Sequence, residues 1–198
     1  MSAKPPCVLG IAPHSGWAAV VIVGGTAAAP RVLLRERVEL ADPDLPGSKQ
    51  PYHDIESLAL PDARVRLALL VESANRLALD ALRTVTRTVR GMGAEPRAAG
   101  MLGSSGRVGA TLEATLSSHA LIHTADGNHF RDALGHGCAV LDLAMTRVTL
   151  KALPARAAVT LRKSPEVLAA TLGELGCGLG APWGADQKSA ALLAWLLL

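Results

Sequence analysis

The stretch Val8-Leu9-Gly10-Ile11-Ala12-Pro13-His14-Ser15 decides how this 198-residue chain reads. Its apolar run is short and is stopped by Pro13, so residues 7–12 predict a buried strand rather than a helix. His14 and Ser15 follow at the C-terminal end of that strand. Open α/β sheets present their ligands at that end. Ala12 stands just before the proline, and a methyl group cannot bind a metal.

Two more strands lie next to it. Trp17-Ala18-Ala19-Val20-Val21-Ile22-Val23-Gly24 is a second apolar run, and Gly24-Gly25 and Pro30 mark the turn after it. From Arg31 to Leu40 apolar and charged residues alternate, which is the period of a half-exposed strand. Three strands joined by short turns predict an antiparallel meander.

Residues 41–56 carry Pro43, Pro46, Gly47 and Pro51 and read as a loop. Pro61-Asp62 opens a long helix with an apolar stripe of Val65, Leu69, Ala74, Ala78, Leu82, Val85 and Val89. Gly91 and Gly93 stop it. Arg97 to Leu102 is a short strand ending in Gly103-Ser104-Ser105-Gly106. A second helix runs from about Thr111 to about Gly135, and a strand from Ala144 to Leu150. Ser164 is placed as the N-cap of the next helix, with Pro165 in its first turn. After the glycine-rich Gly176–Gly184 loop, Asp186 is placed as the N-cap of a final helix, Gln187 to Leu198. The order predicts one α/β domain over residues 1–198, a mixed sheet with helices on its faces.

Hydrophobic residues make up 49% of the chain and charged residues 19%, which excludes a disordered protein. Aromatics are only 3%, so the core must pack closely through small residues. The Ala, Arg and Gly content points to a GC-rich bacterial genome. A net charge of +3 permits a polyanionic partner without demanding one. Arg83, Arg87 and Arg90 share one helical face and read as a solvated face. Cys7, Cys138 and Cys177 form no CxxC pair and read as buried reduced thiols of a cytoplasmic protein. The apolar N-terminus imitates a signal peptide only faintly, because Pro13, His14 and Gly24-Gly25 interrupt it. No run reaches the roughly 20 apolar residues of a membrane span.

Three stretches carry a family resemblance. Val8 to Ser15 resembles the opening strand of the RNase H-like enzymes, and of the RuvC-type Holliday-junction resolvases in particular. Lys163-Ser164-Pro165-Glu166-Val167 resembles the helix start before that family's last helix. Ala185-Asp186-Gln187-Lys188-Ser189-Ala190-Ala191-Leu192 is similar to its closing Ala-Asp-x-x-Asp-Ala-x-Ala motif. The resemblance implies an RNase H-like fold, β-β-β-α-β-α-β-α, and a nucleic-acid partner. It also implies carboxylates from the first strand, the fourth strand and the last helix gathered around divalent metals, Mg or Mn, for phosphodiester hydrolysis. Only Asp186 carries over. Ala12 replaces the first acid, Ser104 or Ser105 stands in the place of the second, and Ser189 replaces the last. One carboxylate cannot hold two metals, so the centre is either lost or rebuilt from other residues.

Two rebuilt sites compete with plainer readings. His119, His123 and Asp126 share one helical face, with spacing that suits an N/O metal site, including zinc. The plainer reading is a polar helix edge with hydrogen-bonded histidines. His14, Ser15 and Asp186 would meet at the sheet edge as base, nucleophile and orienter. The plainer reading there is a strand-end turn beside a capping Asp. Glu72 is read as solvated or helix-paired over a carboxylate supplied to the centre, and His53 as a loop histidine without a specific role over one that covers a site. Trp17 is close enough to the presumed site to stack a base but is read first as packing, Trp195 is read as core, and Trp183 as an anchor of the glycine-rich loop. Three functions stay open: a nucleic-acid-associated protein with or without metal-dependent phosphodiester hydrolysis; a non-catalytic interaction domain, with a homodimer as one form; and a small-molecule hydrolase or phosphotransferase.

Overall fold

The computed structural model describes residues 4–107 and 109–198. The meander forms as the sequence predicts: β1 (Pro6–His14), β2 (Trp17–Gly25) and β3 (Pro30–Glu39). A short helix α1 (Pro51–Asp54) and a 32-residue helix α2 (Leu60–Gly91) follow, then β4 (Glu95–Gly103). Next come α3 (Leu112–Leu116), α4 (His119–Val140), β5 (Ala144–Thr149), α5 (Leu153–Leu161), α6 (Pro165–Leu175) and α7 (Ala185–Leu196). The five strands lie in the order β3-β2-β1-β4-β5. β1–β2 and β2–β3 are antiparallel; β1–β4 and β4–β5 are parallel.

Strand alternation divides the core. Cys7, Leu9 and Ile11 point to one face and pack with α2 and α4, through Ala78, Leu82, Phe130 and Leu134. Val8 and Ala12 point to the other face, which α5, α6 and α7 cover. Both sides of β1 are buried, which is why its sequence is a continuous apolar run.

Two glycines let α7 approach the sheet. A Cβ on Gly10 would lie 1.8 Å from the carbonyl oxygen of Ala190, and one on Gly100 would lie 2.6 Å from Cγ of Leu193. Small residues in both elements bring the N-terminus of α7 beside the end of β1. The low aromatic content thus becomes close helix–sheet packing.

Several expectations change. The stripe of α2 begins at Ala63 and Leu70, not at Val65 and Leu69, which are exposed. The reason is a satellite core of Ile55, Ala63 and Leu70, supported by Leu45 and Tyr52 of the proline-rich segment. That segment therefore folds back onto the helix. The predicted helix 111–135 is two helices, broken at Ser117-Ser118, and helix α5 occupies a stretch left unassigned. Cys177 is exposed, whereas Cys7 and Cys138 are buried. Asp186 does not cap the last helix. Gly184 occupies the N-cap, and its N–H donates to Oε1 of Gln187 at 3.0 Å. Ser164 does cap α6, with Oγ accepting from the Val167 N–H.

Candidate functional site

Two clusters of chemically capable side chains form, on opposite faces of the sheet. The first lies where β1 and β3 end and β2 begins, beside the start of α7. His14 closes β1, and its Nε2 lies 3.0 Å from Oδ1 of Asp186. Asp186 sits in the first turn of α7, where the helix dipole favours an acid. Across the sheet, His14 pairs with Trp17, and the two rings stack at 4.2 Å with 5° between their planes. The guanidinium of Arg37 lies 3.7 Å from the centroid of the Trp17 ring, and its Nε donates to Oε1 of Glu39 at 2.6 Å. Because β2 lies between β1 and β3, His14 and Arg37 flank Trp17 from opposite sides. The result is a ladder running Asp186–His14–Trp17–Arg37–Glu39.

Two further cations lie on the flanking segments. The Cγ of Lys49 lies against Gly16, within 3.5 Å of where its Cβ would be, and Lys188 is exposed on α7. Ser15 is exposed in the β1–β2 turn, and its hydroxyl has no hydrogen bond to His14 or Asp186 among the described residues. The structure thus pairs His14 with Asp186 and leaves Ser15 outside the pair.

The acids of a two-metal centre are not assembled here. Ala12 is buried on the α7 face, so the first acid's position is filled by a methyl group packed in the core. Ser104 lines a cavity of about 650 Å³ together with Tyr52, His129, Arg131 and Arg147. Asp186 is committed to His14. Among the described residues, neither His14 nor Asp186 belongs to a group of three converging His, Cys, Asp or Glu ligand atoms. This edge does not fit the metals that the resemblance implies.

The second cluster lies at the start of α4, on the α2 side. His119 and His123 are one turn apart, and their Nε2 atoms meet at 3.0 Å. His53, at the end of the proline-rich segment, packs against both, with ring centroids 5.2 Å from His119 and 4.6 Å from His123. Asp126 lies behind His53 and is buried. One carboxylate oxygen accepts from the Tyr52 N–H at 2.7 Å, and the other lies 2.5 Å from Nδ1 of His53. Burial pushes the Asp126 carboxyl above the ordinary range, while Tyr52 and His53 pull it back. Asp126 is therefore the support of His53, and His53 is the third member beside His119 and His123. No sequence signal points to His53, because 66 positions separate it from His119 and only the docking of α1 onto α4 unites them.

The glycine-rich loop is fixed from an unexpected side. Arg35 of β3 donates to the carbonyls of Leu179, Gly180, Ala181 and Pro182. Trp183 also anchors it, with Nε1 donating to Leu172 O at 2.8 Å.

No protein-family model matches the sequence, and no curated protein matches it. Solved structures do. Thermus thermophilus RuvC in complex with a Holliday junction substrate is similar over 96% of this chain and 91% of its own, with a TM-score of 0.52 and 16% identity. A second Thermus thermophilus RuvC structure matches over 96% and 92%, with a TM-score of 0.52 and 17% identity. No helix among the described residues is long and apolar enough to cross a membrane. With the strand order, the α7 packing and these two neighbours together, the chain has the RNase H-like fold in its RuvC-like form.

Proposed function

We propose that this protein binds nucleic acid at the β1–β2–β3 edge beside α7 and does not cleave it there by two-metal chemistry. The observation that carries the reading is Trp17, flanked by His14 and Arg37, at the edge where the fold's acids would stand. Arg37 is exposed, and when its guanidinium turns from Trp17 towards a phosphate, it uncovers an indole face on which an unpaired base can stack. Arg37, Lys49 and Lys188 supply three exposed cations for phosphates. The similarity to a RuvC crystallised with a Holliday junction makes branched DNA the first ligand to try. Loss of the acids at Ala12, Ser104 and Ser189 removes the donors that would hold paired metals.

The test uses full-length protein with a labelled four-way junction and with single-stranded DNA, in Mg²⁺ and in Mn²⁺. The expected outcome is saturable binding at low salt, with all strands intact on a denaturing gel. Metal-dependent cutting would overturn the non-cleaving part of the reading. Absence of binding at low salt would overturn all of it.

A further inference from the structure

The histidine cluster at α1 and α4 is not used by the proposed edge, and it lies on the opposite face of the sheet. We propose that His53, His119 and His123 form a mononuclear site for a borderline transition-metal ion of the zinc class, with Asp126 positioning His53 and one coordination place left open.

Four observations support this. First, one ligand nitrogen from each ring lies within 4.8 Å of the other two. In a tetrahedral zinc site with Zn–N near 2.0–2.1 Å, neighbouring ligand nitrogens are about 3.3 Å apart. The 3.0 Å separation of the His119 and His123 Nε2 atoms already matches that span. Second, a metal-ligating imidazole ordinarily gives its other ring N–H to a carboxylate, which fixes tautomer and orientation. His53 does so: Nδ1 faces Asp126, which leaves Nε2 for an ion. Third, the supporting carboxylate is buried and is also held by the Tyr52 N–H, so its position is set before any ion arrives. Fourth, His119 and His123 are exposed, so an ion can reach the site and a water can take the fourth position. Three imidazoles select the zinc class over Mg²⁺, which prefers oxygen ligands and retains its water.

This differs from a site made of His119, His123 and Asp126. There the carboxylate would be a ligand; here it acts through His53, and its loss weakens the ion's hold without deleting a ligand.

The test uses untagged full-length protein freed of metal by chelation, with Zn²⁺ and Co²⁺ as probes. One equivalent of Zn²⁺ per chain should survive gel filtration. One equivalent of Co²⁺ should give the intense visible bands of a four-coordinate ion. His123→Gln, a surface change, should lower the affinity by about 100-fold or more. Asp126→Asn should lower it by about 10–100-fold, the usual effect of losing a carboxylate behind a ligating histidine. His136→Gln, at an exposed histidine on the same helix, and Cys177→Ser should change nothing. The proposal is overturned if His123→Gln binds Zn²⁺ as tightly as the parent, or if the parent retains well under one equivalent at micromolar metal. Folding of each variant is checked by circular dichroism. If Asp126→Asn unfolds, His123→Gln still decides. The result is independent of DNA binding, so either proposal can fail without the other.

Discussion

At the scale of single residues, His129 is the most exposed to a pH test. It is buried, its Nε2 has no hydrogen-bond partner among the described residues, and it packs edge-on against Phe130. Burial pushes its pKa down to about 4, with Asp132 opposing. The folded protein therefore keeps His129 neutral where the unfolded chain takes up a proton. Stability from this group is intact above pH 6.5 and is lost as pH falls from 6.5 to 4. The loss amounts to about 3 kcal/mol. Urea unfolding at pH 7 and pH 4.5 measures it, and His129→Leu should flatten that part of the dependence. The thiols give a second check. Burial raises Cys7 and Cys138 to about 11, while Cys177 is exposed. A thiol reagent should modify one cysteine quickly in the folded protein, and three only after denaturation. The exposure of Cys177 follows from its place in the Gly176–Gly184 loop, a signal that reading the three cysteines together as buried passed over. His14 and Asp186 were legible, since strand end and helix start carry a recognisable local pattern. His53 was not, because its partners lie far along the chain.

Among the elements, the seam between β1 and α7 sets the geometry of the proposed edge. Gly10→Ala would drive a methyl into the Ala190 carbonyl, which is backbone and cannot rotate away. The expected cost is at or beyond the upper end of the roughly 1–3 kcal/mol seen for overpacking, read as a lower urea midpoint. Arg35→Ala removes the donor that holds four carbonyls of the glycine-rich loop. Limited proteolysis should then cut within residues 176–184 faster than in the parent, with a stability loss of about 1–3 kcal/mol. The strands were readable because β1 and β2 are short apolar runs and β3 alternates, each bounded by turn residues. The start of α2 was misread because its first turns pack on the proline-rich segment, a tertiary effect that periodicity cannot anticipate. The cap of α7 was misread because Asp186 looks like a helix N-cap. Gly184 takes that place, which frees the carboxylate for His14.

For the whole molecule, the fold places two side-chain clusters on two faces of one sheet: the His14–Trp17–Arg37 edge by α7, proposed to bind nucleic acid, and the imidazole cluster by α4, proposed to bind a metal ion. The basic excess of +3 is small, so binding to DNA should rest on a few phosphate contacts. Three cations predict a slope of log K against log salt near −2.7, or a roughly 40-fold loss of affinity between 50 and 200 mM salt. The edge's place in the proposal is tested most directly by the affinity of Trp17→Ala for a labelled four-way junction, measured by fluorescence anisotropy beside the parent at equal salt. Loss of one stacked base predicts weakening of about 5- to 150-fold, with a lower melting temperature because Trp17 also packs against the α7-face core, so both proteins are compared well below their melting temperatures. An affinity equal to the parent's, in a folded variant, would contradict the account.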